Sequence, residues 1–374
     1  MSAERMRIVV AGMLAAVPRQ GGATWAVLQY VLGLRRLGHE VIVVEEVEPE
    51  AFAGAAARFA TLLGEFDLGP HAAIIERGRG TTAGLERAEL LRAVAGADVL
   101  LNISGTLTDE AVLDAVRLRV FVDLDPAFTQ LWHAAEGVDM GFDRHDRFVT
   151  IGSEIGRPGC AVPTCGRAWI TTPQPIVLDH WPRAGAVVHD GLTTVGHWRA
   201  YGSIHHDGVH YGQKAHALRP LIDLPARARA PFLLALGIHP DEREDLAALD
   251  RHGWRLLDPA AVAGTPADYR AFVQGSWAEF GLAKLGYVVS RCGWFSDRSL
   301  CYLASGRPVI AQDTGFASWL PTGEGLFAFS TADDVAVAVD ELRADYPRHR
   351  RAARELAETV FDSDRVLPEL LACL

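Results

Sequence analysis

The 374-residue chain is longer than one hydrophobic core usually organises, so two domains are expected. Its 49% hydrophobic and 22% charged residues exclude a disordered chain, and a net charge of −11, from 36 basic and 47 acidic residues, excludes a global field that would draw nucleic acid. Five scattered cysteines (Cys160, Cys165, Cys292, Cys301, Cys373) with no CxxC pair, and a start without a secretory pattern, fit a reduced cytoplasmic setting. The longest apolar runs, such as Ala93 to Leu101, fall short of the roughly 20 residues that cross a bilayer.

Arg7 to Gly12 is a continuous apolar run of the kind found in a strand buried on both faces. Gly21 and Gly22 follow in a loop that allows close backbone approach, and then Trp25, Leu28, Val31 and Leu32 recur at helical spacing until Gly38. His39 to Val44 reads as the next strand, which makes a βαβ unit and starts a parallel sheet. Helices over 51–63, 84–95 and 109–115 alternate with strands over 99–103, 118–123 and 148–151. The polar loops after these strands place Asp125 and His133 at carboxyl ends, where ligands are met in open α/β sheets.

Prolines at 158, 163, 173, 175 and 182 mark the end of a first domain. The boundaries expected are 1–175 for the first domain, 176–190 for a linker, 191–345 for a second domain and 346–374 for terminal helices that cross back. The second series runs through a strand at 192–196, a His-rich loop over 198–213, a helix at 214–221, a strand at 231–236, a helix at 241–251, a strand at 254–257 and a helix at 266–274. A short strand over Tyr287 to Ser290, a Gly-containing turn, a helix opening at Ser296 and Asp297 and a strand over Pro308 to Ala311 complete the pattern, followed by a last strand at 327–329. That helix start presents free amides and a partial positive charge to the crevice, a seat for phosphate. The fold class expected is α/β, with two Rossmann-like parallel-sheet domains facing across a cleft.

Cys292-Gly-Trp294, Ser296, Gly306-x-Pro308-Val309 and Asp313 follow a known pattern: the segment resembles the nucleotide-sugar signature of the plant secondary-product glucosyltransferases, within the glycosyltransferases of the two-Rossmann-domain (GT-B) fold. The resemblance implies that Gly293, Ser296 and the amides of Asp297 and Arg298 take the donor diphosphate, and that Asp313, Thr314 and Gly315 take the sugar. Arg291 replaces the signature's His and keeps a phosphate donor, whereas Phe295 and Ser299 stand where the signature has Asn and the ribose-binding Glu. The retaining branch of the same fold clamps the diphosphate with an Arg and a Lys after the first strand of the second domain, and Arg199 and Lys214 lie in that region.

An inverting enzyme needs a base in the first domain, for which Asp125 is preferred over His133, and Glu279 is the carboxylate expected near the sugar. The cluster His205-His-Asp-Gly-Val-His210 lacks the spacing of a zinc site and reads as a polar loop at the cleft rim, so no metal or other cofactor is expected. Trp25, Phe128 and Trp132 offer apolar surface near first-domain loops. The reading is a glycosyltransferase moving a sugar from a nucleoside-diphosphate sugar to a small-molecule acceptor, as a monomer or homodimer. A sugar-nucleotide epimerase of the same fold and a non-catalytic nucleotide-binding protein are the alternatives, and retention or inversion stays open.

Overall fold

The computed structural model describes residues 5–374. Its first sheet has eight strands: β1 (Arg7–Ala11), β2 (Glu40–Val47), β3 (Ala72–Glu76), β4 (Thr82–Gly84), β5 (Val99–Ile103), β6 (Leu118–Asp123), β7 (Arg147–Thr150) and β8 (Trp169–Thr171). They lie in the order β4-β3-β2-β1-β5-β6-β7-β8 and are parallel except for the antiparallel edge pair β3–β4. Ile8, Val9, Val10 and Ala11 are all fully buried. A central strand covered on both faces has no polar side, which is why its sequence is a run and not an alternation.

After β9 (His189–His197), the hairpin β10 (Ile204–His206) and β11 (Val209–Tyr211) stands apart from the second sheet. That sheet adds β12 (Phe232–Gly237), β13 (Arg255–Leu256), β14 (Ser276–Gly281), β15 (Val309–Gln312) and β16 (Leu326–Phe329). Its order β13-β12-β9-β14-β15-β16 is entirely parallel and reverses direction between β9 and β14. The first sheet reverses likewise between β1 and β5. At such a switch the loops at the strand ends diverge and leave a crevice.

Several sequence expectations need correction. Tyr287 to Ser290 is helical, within Leu285–Ser290, and the slot between β9 and β15 is filled by Ser276–Gly281. That strand carries Ser and Glu at buried positions and still fits. The Thr193 hydroxyl donates to Ser276 Oγ at 2.7 Å, and Glu279 is met by Arg298. The β-branched run after it is drawn into a helix by packing of Gly286 and Tyr287 against Phe128. The loop expected over 198–213 contains the β10–β11 hairpin, β3 and β4 fill an interval with no expected strand, and the proline-rich stretch supplies the edge strand β8.

The connection between the sheets is packed. Trp181 is fully buried against Trp25 and Tyr269, and the guanidinium groups of Arg307, Arg350 and Arg354 donate to carbonyls of Trp181, Ala184, Gly185 and Ala186. The terminal helix Ser363–Cys373 lies against the first-domain helix Gly21–Arg36, with Arg36 Nε 2.9 Å from Asp364 Oδ1. Among the described residues no helix is long and apolar enough to cross a membrane.

Candidate functional site

The two switch points face one another across a cavity of about 510 Å³. The first domain contributes Pro18, Arg19, Gln20, Gly22 and Ala23, where the loop after β1 enters the Gly21–Arg36 helix. The second contributes Val195, Gly196 and His197 at the end of β9, Asp258, Pro259, Ala260 and Ala263, Tyr269, and Asp297 with Arg298 at the start of the helix Asp297–Ala304.

The Gly21–Arg36 helix opens onto this cavity without a side-chain cap and with no acidic residue in its first turn. Its dipole and free amides are therefore unneutralised at the cavity wall. Both glycines are needed for the approach of the domains: a Cβ on Gly21 would lie 2.1 Å from the Thr265 carbonyl oxygen, and one on Gly22 2.8 Å from the Tyr269 ring. The preceding loop is held by Glu45, whose carboxylate accepts N–H groups from Leu14, Ala15 and Ala16 at 2.7 to 3.1 Å.

Opposite this helix, two cations converge on Gly196. A Cβ there would be 3.9 Å from both Arg298 Nη1 and Lys214 Cε. Arg298 is anchored by Glu279, fully buried, at 2.5 Å from Nε, and donates from Nη1 to the Val195 carbonyl at 3.1 Å. Lys214 is 8% exposed and has no salt bridge among the described residues. Burial, then the charges of Arg298 and Lys284, pull its amino group down to about 7. Burial, then the charges of Lys214 and Lys284, lowers His197 as well. A site that suppresses its own positive charge when empty gains most from an anion that restores it.

The pH consequence has a definite sign. Between about 7 and the ordinary lysine value of 10.5 the unfolded chain holds a proton on Lys214 that the folded chain has released. Stability of the unliganded protein should therefore rise with pH across that window and lose this increment as pH falls to 7. The slope is about 1.4 kcal/mol per pH unit for one such group. Urea unfolding of the wild type and of Lys214→Met at several pH values isolates it, because the variant lacks the group; parallel curves would show that Lys214 titrates normally.

Of the residues singled out in the sequence, Gly22, Asp297 and Arg298 line the cavity, with Gly21 and Lys214 adjoining it. Ser296 is occupied: its hydroxyl caps its own helix by accepting the Arg298 N–H at 3.2 Å. Gly293, Thr314 and Gly315 form a packed junction, in which Gly293 N–H donates to the Thr314 carbonyl at 2.8 Å and its own carbonyl accepts from Ser153 Oγ at 3.2 Å. Arg291 is exposed, 3.7 Å from Asp313. Arg199 pairs with Glu242 at a separate cavity. His133 packs on Phe142, and Glu279 is sealed behind Arg298.

Asp125 is likewise engaged. It sits 2.8 Å from Lys284 Nζ, accepts from the Tyr201 hydroxyl at 2.5 Å and from that of Tyr287, and so ties the first domain to the second. The Lys284 ammonium stands 4.2 Å over the Tyr201 ring and 5.0 Å over Phe128. A carboxylate so neutralised is a domain clasp more than a free base. Trp25, expected to offer apolar surface, is buried and donates from Nε1 to the Pro266 carbonyl. His205, His206 and His210 lie on the hairpin away from the cavity wall.

The junction at Gly293 carries its own prediction. Gly293 has φ +76°, and a Cβ would fall 2.1 Å from Ser153 Oγ and 2.9 Å from the Glu154 amide nitrogen. Gly293→Ala should cost about 2 kcal/mol or more in urea unfolding, from left-handed strain plus displacement of the first-domain loop. An unfolding curve like that of the wild type would disprove the close interdomain contact.

Sequence reasoning did not reach Gly196, His197, Tyr269, Glu45 or the Lys284 clasp. Only Gly196 left a signal, as the glycine ending an expected strand. The arrangement is the GT-B fold, two Rossmann-like domains with a cleft between their switch points. No protein-family model matches the chain, and no curated protein matches its sequence. Solved structures of similar fold include an alpha-glucosyltransferase in complex with UDP (13% identity, TM-score 0.60, 98% of this chain and 99% of that chain), also solved with UDP and a 13-mer DNA. Others are HepE of Anabaena with UDP and glucose (13% identity, TM-score 0.58, 99% and 100%) and a sucrose-phosphate synthase from Thermosynechococcus elongatus (14% identity, TM-score 0.55, 99% and 98%).

Proposed function

We propose that the chain is a glycosyltransferase that binds a nucleoside-diphosphate sugar in the interdomain cavity and transfers the sugar to a small-molecule acceptor. One observation carries the reading: buried Lys214, which makes no salt bridge among the described residues, and Arg298 meet at Gly196 opposite an uncapped helix start. Cleavage of a sugar–diphosphate bond develops negative charge on the leaving diphosphate, and prearranged cations and amides stabilise that charge as it forms. The seat proposed for the diphosphate is this cationic floor and the Gly21–Arg36 helix start. The apolar faces of Pro259, Ala260 and Ala263 suit the base.

The fold likeness to glycosyltransferases solved with UDP supports the donor class. The net charge of −11 disfavours a nucleic-acid acceptor, whose backbone is bound through lysine and arginine. Because Asp125 is clasped by Lys284, the acceptor base is assigned to no residue here.

The test is incubation of the protein with UDP-, GDP- and dTDP-linked sugars, with and without a panel of small hydroxylated acceptors. Acceptor-dependent release of the nucleoside diphosphate, with a glycosylated product, is expected. Epimerised donor formed without any acceptor would replace the proposal with the epimerase reading, and binding without turnover of any donor would leave only a binding protein.

A further inference from the structure

Another cavity, of about 260 Å³, lies behind the connection between the sheets and shares no lining residue with the interdomain one. It is lined by Arg183 of the connection, Gly306 ahead of β15, and Pro347, Arg350 and Arg351 in the first turns of the helix Tyr346–Leu356. Since β15 is parallel to its neighbours, the segment ahead of it belongs to the amino edge of the second sheet, opposite the edge that faces the cleft. Arg307 and Arg354 adjoin the same place through their bonds to carbonyls of the connection. Five arginines therefore converge here, in a chain of net charge −11.

Their carboxylate partners are few. Arg183 and Arg354 share Glu358, at 3.8 and 2.6 Å, and Arg307, Arg350 and Arg351 make no salt bridge among the described residues. Asp345, which caps the same helix, accepts the Arg348 N–H, and the Arg348 guanidinium pairs with Glu324. Arg350 is fixed in place: Nε donates to the Gly306 carbonyl at 3.2 Å and Nη2 to the Ala184 carbonyl, which leaves Nη1 without a hydrogen bond among the described residues. Arg183 and Arg351 are exposed at the cavity mouth.

Guanidinium groups gathered in one place repel one another, and an anion that accepts from several of them relieves this. A carboxylate offers two oxygens and one charge. A phosphate monoester offers three oxygens and nearly two charges, and it matches the planar guanidinium fork bidentately. With Arg183 on the connection and Arg350 and Arg351 on the helix, one phosphate joins two separate segments of the chain. The cavity is smaller than sites that enclose larger ligands, roughly 300–1,000 Å³, and suits a phosphate with a glycerol-sized organic part. We propose that it is a second anion site, which takes the phosphate group of a phosphate monoester between Arg183, Arg350 and Arg351, independently of the interdomain cavity and of the function proposed for it.

Calorimetric titration of the wild type, Arg183→Ala/Arg351→Ala and Lys214→Met with millimolar glycerol 3-phosphate tests it. Flotation with phosphatidylcholine vesicles, with and without phosphatidic acid, tests whether a membrane lipid offers the same group. The double variant should weaken binding roughly thirtyfold or more, as the loss of two charge-assisted bonds implies. Lys214→Met should bind within about twofold of the wild type, since distant sites act independently. Both arginines are exposed, so the unliganded double variant should unfold at the wild-type temperature. Vesicle binding that requires phosphatidic acid and both arginines, in place of glycerol 3-phosphate binding, would make a lipid the source of the phosphate. Absence of binding to either probe, binding that the double variant keeps, or binding that Lys214→Met abolishes overturns the site.

Discussion

Lys214→Met is expected to weaken nucleoside-diphosphate binding by roughly 100-fold, about 3 kcal/mol, the scale on which one member of a buried charge contact is lost. The same substitution should stabilise the unliganded protein by about 2 kcal/mol near pH 6, because a buried ammonium is replaced by an apolar chain of similar length. Opposite signs in the two measurements are the diagnostic feature. A lysine kept for packing would lose stability on substitution and leave affinity unchanged. A lysine on the surface would change neither. Lys214 is 8% exposed, and its amino group is held down to about 7 by burial and by Arg298 and Lys284, so only an anion arriving in the cavity repays its placement. Calorimetry for the ligand and urea unfolding for the fold together decide it.

The second large effect falls on Glu279. Glu279→Ala should cost about 3–5 kcal/mol in unfolding free energy, since it leaves the Arg298 guanidinium buried without its counter-charge. Glu279 is fully buried, and its Oε1 lies 2.5 Å from Arg298 Nε across the β14–helix contact. Removing both partners in Glu279→Gln with Arg298→Met should recover a substantial part of the loss, whereas additive destabilisation would show that the two act independently. The role first assigned to Glu279, a carboxylate beside the sugar, is thereby replaced by that of an anchor for a cavity arginine.

Much of this architecture was legible because the strands of the first sheet are buried on both faces: Ile8 to Ala11 and Val99 to Ile103 read as apolar runs and form β1 and β5. Strand β14 was hidden because its Ser276 and Glu279 look like solvent-facing residues, and their burial is made tolerable by Thr193 and the Phe272 carbonyl at Ser276 and by Arg298 at Glu279. The stretch Tyr287 to Ser290, with β-branched Val288 and Val289, offered itself as the strand instead. Its helical form follows from contacts with Phe128 of the other domain.

The site divides in the same way. Ser296 was recognisable as a helix start, and the structure places its hydroxyl on its own backbone. The anion seat proposed above joins the end of β9 to the start of the Gly21–Arg36 helix, two segments brought together only by the docking of the domains. Nothing local in Gln20 announces that meeting, and Gly196 marks only the end of an expected strand. Lys214 entered through a resemblance, and its meaning became physical only once its burial, with no salt bridge among the described residues, was visible.

The two possible anion seats can be set directly against each other. The wild type and a Ser296→Ala/Arg291→Ala double variant are titrated calorimetrically with UDP, GDP or dTDP, whichever the wild type binds tightest. The double variant loses a helix cap, so a stability cost of about 1 kcal/mol is expected. Its nucleotide affinity should stay within about threefold of wild type, because the diphosphate is held at Gly196, Lys214 and Arg298. Loss of binding in the folded double variant, on the scale predicted for Lys214→Met, would place the diphosphate at the Cys292–Asp297 turn and contradict the account.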